Sequence, residues 1–216
     1  MLKAIIFDMD GVICHTNPFH SMAFKSFFAK RNMHPTEDEF VKHMYGKSNS
    51  YIMSHFFERQ IEGEELLRLE NEKESLFREI YVDKVDPIAG YMQFLESIKS
   101  NKLLTGVATS APLANLEMIA SKLNLLDKME STLASEHVSK HKPDPEVYLK
   151  SADNLKVSPK NCLVFEDSFS GVSAALNAGM KVVGVLSSHT KEELPPCDLY
   201  IDDYKNLKLE TVLRLF

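Results

Sequence analysis

The chain has 216 residues, is 44% hydrophobic and 26% charged, and carries a net charge of −6. Those values describe an ordinary soluble globular chain with room for one core domain and an insertion. They argue against nucleic-acid binding, because the balance is acidic with no long basic stretch, and against a membrane span, because no apolar run reaches the roughly 18 residues required.

In chain order, residues 2–7 read as a buried strand that ends on two acids, Asp8 and Asp10. Residues 18–82 change to helical spacing. Phe24, Phe27 and Phe28 fall at i, i+3, i+4, and Thr36 and Glu39 have the spacing of a capping box. Leu66, Leu69, Leu76, Phe77 and Ile80 line one face of a segment otherwise full of Glu, Lys and Arg. No strand-like alternation occurs here, so residues 15–85 are expected to form a helical insert.

From residue 86 helix and strand alternate. Helices are expected at 91–98, from Pro112 to about 123, at 145–152 and at 170–178, the last closed by Gly179. Strands are expected at 103–109, 131–135, 161–165, 181–186 and 198–201, with a helix at the C-terminus. Short apolar strands alternating with helices predict an α/β fold, a doubly wound parallel sheet built from residues 1–14 and 86–216. The three cysteines, Cys14, Cys162 and Cys197, are odd in number and in no metal-like spacing, and the N-terminus lacks the layout of a secretory signal. A reduced, cytoplasmic setting is the expectation.

Open parallel sheets gather ligands at the carboxyl ends of their strands. Just past the first strand come Asp8 and Asp10, past the second Thr109 and Ser110, and past the 161–165 strand Glu166 and Asp167; Lys142 precedes the helix at 145. Residues i and i+2 of an extended segment point the same way, so Asp8 and Asp10 can face one pocket. Several carboxyl groups together suit a hard cation bound through oxygen, and Mg2+ fits because it takes one or two carboxylates and bridges phosphate oxygens. A carboxylate can also serve as a nucleophile toward phosphorus, with a neighbouring acid moving the proton. Lys142 would offset the negative charge and Thr109 would donate to phosphoryl oxygens. Two other patterns are set aside. Gly46-Lys47-Ser48 resembles the end of a phosphate loop but lacks its first glycine and its preceding strand. His137 and His141, at i, i+4, lead into Pro143 and Pro145 and read as solvated loop residues.

Four stretches, "DMDGV", "VATSA", "KHKPDPEVY" and "VFEDSFSGVSAALNAGM", in this order and spacing resemble the haloacid dehalogenase superfamily. The resemblance is to the branch containing beta-phosphoglucomutase and its phosphatase relatives. It implies a Rossmann-like core, with the helical insert serving as a cap. It implies Asp8 as nucleophile and Asp10 as general acid and base. Mg2+ would be held by the Asp8 side chain, the Asp10 backbone carbonyl and Asp167, with Glu166 in or beside the coordination shell. Thr109 would bind the transferring phosphoryl group, Ser110 would adjoin the substrate, and Lys142 would neutralise charge. His15 stands where many relatives carry an aspartate, at the core-to-cap junction. His20, at the start of the first cap helix, is open to three roles: hinge, acid–base helper or plain surface histidine. Within the cap loop 46–50, Lys47 and Asn49 are the candidates for substrate choice. Mutases of this branch usually place an arginine there, and Lys is a poorer phosphate clamp. The expectation is a monomeric Mg2+-dependent phosphatase of a small phosphorylated metabolite, with a sugar-phosphate mutase and a non-catalytic phospho-ligand binder as the alternatives.

Overall fold

A computed structural model describes residues 1–44 and 48–216. The chain divides into two compact units, Met1–His15 with Val85–Phe216, and Thr16–Lys84. The first unit opens with β1 (Ala4–Phe7), whose four residues are all buried.

The second unit holds α1 (Asn17–Ala29), α2 (Glu37–His43), α3 (Asn49–Phe56) and α4 (Gly63–Tyr81). The helix starts follow from local chemistry. Pro18 opens the first turn of α1, and Thr36 and Glu39 form the reciprocal capping box of α2. The Ser48 hydroxyl accepts the Tyr51 N–H at α3. Helix α1 packs on α4 with Phe19 against Tyr81, His20 against Phe77 and Phe24 under the Lys73 ammonium, while Phe28 turns to Phe40 and Phe56. Arg31 closes the pair, holding Glu72 through two nitrogens at 3.0 and 2.6 Å while lying 3.9 Å over the Phe27 ring. The charged residues of α4 are not all solvated. Lys73 and Glu74 are 2% and 4% exposed and are hydrogen-bonded to each other at 2.7 Å.

The first unit continues through α5 (Tyr91–Ser100), β2 (Leu104–Ala108), α6 (Leu113–Lys122), β3 (Ser131–Leu133), α7 (Glu146–Asn154), β4 (Cys162–Glu166), α8 (Phe169–Asn177), β5 (Lys181–Val185), β6 (Leu199–Ile201) and α9 (Leu209–Leu213). Pro112 caps α6 rather than beginning it, because its ψ of 150° is extended. The strands form one parallel sheet in the order β3-β2-β1-β4-β5-β6. Alternate residues of each strand serve opposite faces. On one face Phe7 and Phe165 meet Tyr91 and Phe94 of α5, together with Tyr204. On the other, Ala4, Ile6 and Val164 join Tyr148 of α7 and Val172 of α8. Both faces are covered, as a parallel sheet requires. The order reverses between β1 and β4, so a crevice opens beyond their carboxyl ends. Among the described residues no helix is long and apolar enough to cross a membrane.

Candidate active site

Strands β1, β2 and β4 deliver the side chains. Asp8 extends the β1 ladder by one step, its N–H donating to the Phe165 carbonyl at 3.0 Å. The chain then curls back, and the Ile13 and Cys14 N–H groups both reach the Met9 carbonyl, at 2.9 and 3.2 Å. Asp8 is thereby fixed and buried, while Asp10, inside the curl, is half-buried. Gly11 makes the turn at φ +71°, and a Cβ there would lie 2.0 Å from Asp167 Oδ2. Only glycine fits both the backbone and the space.

Lys142 enters from the loop before α7. Its Nζ donates to Asp8 Oδ1 and Glu166 Oε1, both at 2.7 Å, and to the Ala108 carbonyl at 3.1 Å. All three donors of the ammonium are spent. Glu166, at the end of β4, is 0% exposed and saturated. Oε1 accepts from Lys142 and from the Tyr148 hydroxyl at 2.9 Å, and Oε2 accepts the Asp167 N–H at 2.9 Å and the Ser168 N–H and hydroxyl at 3.0 Å. Both oxygens are occupied, so Glu166 acts as an anchor for Lys142 and for the entry to α8. The carboxylates able to give an oxygen outward are Asp8 and Asp167. Asp8 Oδ2 and Asp167 Oδ1 take no hydrogen bond among the described residues.

The electrostatics point the same way. Burial, Glu166 and Asp10 together outweigh Lys142 and push the Asp8 carboxyl up to about 7. Burial and the charges of Glu166 and Asp8 hold Asp167 well above the usual carboxylate range. Burial works against ionised Glu166 too, but Lys142 overrides it and keeps Glu166 low. Lys142 in turn is raised well above its ordinary value, because Asp8 and Glu166 outweigh the cost of burial. One ammonium thus faces three buried carboxyls, and one oxygen from each of Asp8, Glu166 and Asp167 lies within 4.8 Å of the others. An all-oxygen donor set with surplus negative charge fits a hard divalent cation.

Thr109 follows β2 and is buried. Its Oγ1 accepts the Ala111 N–H at 3.0 Å, and its own hydrogen is given to no acceptor among the described residues. Ser110 beside it is exposed. His20 and Asn49 belong to the helical unit, and Lys47 lies outside the described residues. His20 is no bare surface histidine: its ring stacks 3.8 Å from Phe77, and Nδ1 lies 2.9 Å from Lys73 Nζ. Asn49 begins α3. His137 and His141 are exposed, as expected, and Nδ1 of His137 also accepts the Ala134 N–H at 2.8 Å.

The sequence reading passed over Tyr148, Ser187, Ser188 and His189. Ser188 donates to Asp167 Oδ2, and His189 Nδ1 lies 3.0 Å from the Asp167 carbonyl. A signal existed for the serines, because they stand just past β5. The rule that found the other acids, applied to that strand, finds them too.

A family model described as haloacid dehalogenase-like hydrolase matches residues 5–185. A phosphorylated carbohydrates phosphatase of Thermotoga maritima is 32% identical over 192 residues, which span 87% of this chain and 87% of that protein. Beta-phosphoglucomutase of Bacillus subtilis is 28% identical over 218 residues, 97% of this chain and 93% of that protein. The crystal structure of a HAD hydrolase, family IA, variant 3, from Entamoeba histolytica has a TM-score of 0.92 at 27% identity, with 99% of each chain covered.

Proposed function

Because this chain belongs to the haloacid dehalogenase-like hydrolases, we propose that it is a Mg2+-dependent phosphatase that cleaves a small phosphorylated metabolite through an aspartyl-phosphate on Asp8. The observation that carries this reading is the state of Asp8, buried at the sheet edge with one oxygen held by Lys142 and the other free of hydrogen bonds among the described residues. Asp8, Asp167 and the Asp10 carbonyl would hold the cation, and Glu166 stands behind them. When bound, Mg2+ supplies positive charge to a phosphoryl oxygen and to the carboxylates.

The chain's own groups account for the rest. The Asp8 carboxylate attacks phosphorus, and the bond from phosphorus to the ester oxygen breaks. Asp10 gives its proton to that leaving oxygen. Lys142 and the spare hydrogen of Thr109 steady the charge on the phosphoryl oxygens. Asp10 then takes a proton from water as the water attacks phosphorus. The bond from phosphorus to Asp8 breaks, and inorganic phosphate leaves with both aspartates restored. The helical unit serves as the cap that selects the substrate. The similarity to the Bacillus subtilis mutase favours a second reading, in which the phosphoryl group returns to a sugar rather than to water.

A panel of phosphorylated metabolites assayed with Mg2+ for both phosphate release and isomer formation separates the two. Net phosphate release is expected, with little conversion of beta-glucose 1-phosphate to glucose 6-phosphate even when a bisphosphate activator is present. Isomerisation that outpaces hydrolysis would overturn the phosphatase reading.

The site also predicts a pH dependence. The folded Asp8 value, about 7, lies above its unfolded value near 3.8. In the cation-free protein its contribution to stability is therefore complete below the unfolded value and is lost as pH rises through about 7. Cation binding needs the ionised carboxylate, so its stabilising effect runs the opposite way. The rise in Tm on adding Mg2+ is expected to grow between about pH 5 and about pH 8. Thermal melts in chelator and in Mg2+ across that range measure it, and a Tm gain independent of pH would count against Asp8 as a ligand.

A further inference from the structure

The loop after β5 closes around Asp167 in a way that the reaction scheme does not use. Ser187 Oγ donates to the Gly11 carbonyl at 2.5 Å and lies 3.5 Å from Asp167 Oδ2. Ser188 Oγ donates to the same Asp167 oxygen. His189 Nδ1 lies 3.0 Å from the Asp167 carbonyl oxygen, which can only accept, so that nitrogen carries the hydrogen. Each serine has a single hydrogen to give. The shorter contact assigns the Ser187 hydrogen to the Gly11 carbonyl, which leaves Ser188 as the donor to Asp167. The three residues therefore divide the work. Ser187 ties the loop to the turn after β1, His189 pins the Asp167 backbone, and Ser188 alone engages the carboxylate. Gly11 belongs to the same arrangement, since a Cβ there would lie 2.0 Å from Asp167 Oδ2 and 2.9 Å from Ser187 Oγ.

We infer that Ser188 is a positioning residue for the divalent cation: by occupying Oδ2 of Asp167 it fixes the rotation of the carboxylate and leaves Oδ1 to the metal. This rests on the proposed role of Asp167 as a ligand. A carboxylate with one oxygen held by a donor loses less freedom on coordination and offers a single-oxygen geometry, which suits an ion that demands near-octahedral coordination. The exposure of Ser188 makes the hydroxyl removable at little cost to the fold.

The test is calorimetric titration of Mg2+ into metal-free protein, with melts in chelator alongside. Ser188→Ala is expected to weaken Mg2+ binding about tenfold or more, while its Tm in chelator stays that of the wild type. Ser188→Thr, which keeps the hydroxyl, is expected to bind as the wild type does. Ser187→Ala, which loosens the loop but leaves the donor, should give a smaller loss. Phosphate release by Ser188→Ala should recover at saturating Mg2+, since the defect lies in holding the ion. Wild-type affinity in Ser188→Ala would overturn the inference alone. So would a Ser188→Ala chain that fails to fold or melts early in chelator without rescue by Ser188→Thr, because the hydroxyl would then be structural. A wild-type protein that binds no Mg2+ would overturn both this inference and the metal-dependent reading on which it rests.

Discussion

Asp8→Asn should lower turnover by about 10⁴-fold or more while leaving the fold in place, and in chelator near pH 8 it should melt no earlier than the wild type. The two halves of this expectation share one cause. Asp8 is buried, and its carboxyl is pushed up to about 7 first by that burial, against the pull of Lys142. A group that resists ionisation in the folded state costs stability as the pH climbs from its unfolded value, and the full cost is present above its folded value. The amide keeps the shape and removes that cost. It cannot form an acyl phosphate, so catalysis is lost. Lys142 keeps its second partner, Glu166 Oε1, at 2.7 Å, and is not left unpaired. Phosphate release and melts on a sample checked by mass spectrometry for deamidation give the result. Near-normal turnover in a verified amide would remove Asp8 as the nucleophile.

Gly171→Ala should destabilise the protein by about 3–5 kcal/mol, the scale of breaking a buried ion pair, and should abolish activity with it. Gly171 lies in the first turn of α8, and a Cβ there would sit 1.6 Å from Glu166 Oε1 and 1.9 Å from Cδ. A side-chain end can normally give way. This one is held by Lys142, Tyr148, Asp167 and Ser168 and is fully buried. Displacing it breaks those bonds and leaves Lys142 facing Asp8 alone. Gly179→Ala provides the control. That glycine has φ +72° and open space around its Cβ position, so only backbone strain of about 1–2 kcal/mol applies. Denaturant midpoints of the two variants measure the difference, and equal losses would mean that the clash is absorbed cheaply.

These expectations show where the sequence was informative. Each chemistry-bearing residue of the core stood just past an apolar strand, so Asp8, Thr109, Glu166 and Asp167 could be named from position alone, and the parallel sheet follows from the same alternation. Lys142 follows no strand; it was named from its place just before the helix at 145, and the "KHKPDPEVY" resemblance agreed with that reading. What could not be read was how polar groups are shared. Nothing in spacing tells that both oxygens of Glu166 are engaged by Lys142, Tyr148, Asp167 and Ser168, which favours a place beside the coordination shell over one in it. Nor does spacing tell that Gly11 and Gly171 are small because carboxylates fill the space beside them. In α4 the helical period was right, but Lys73 and Glu74 are buried because they bond to each other, which a hydropathy pattern scores as surface.

The sheet order also has a consequence for synthesis. Strand β1 is made first, yet it is central, with Ala4 in register with Leu104 on one side and Cys162 on the other. Its second neighbour follows roughly 160 residues later, so at about 5–20 residues per second the nascent strand waits ~10–30 s for it. Until β2 is made both ladder edges of Ala4-Ile5-Ile6-Phe7 are unpaired, and until β4 is made one still is, the condition that seeds aggregation. The acids directly after it interrupt the apolar run and repel a second copy stacking in register, as gatekeeper charges do. Asp8 and Asp10 are thus placed to guard the unfinished chain before there is any pocket for them to serve.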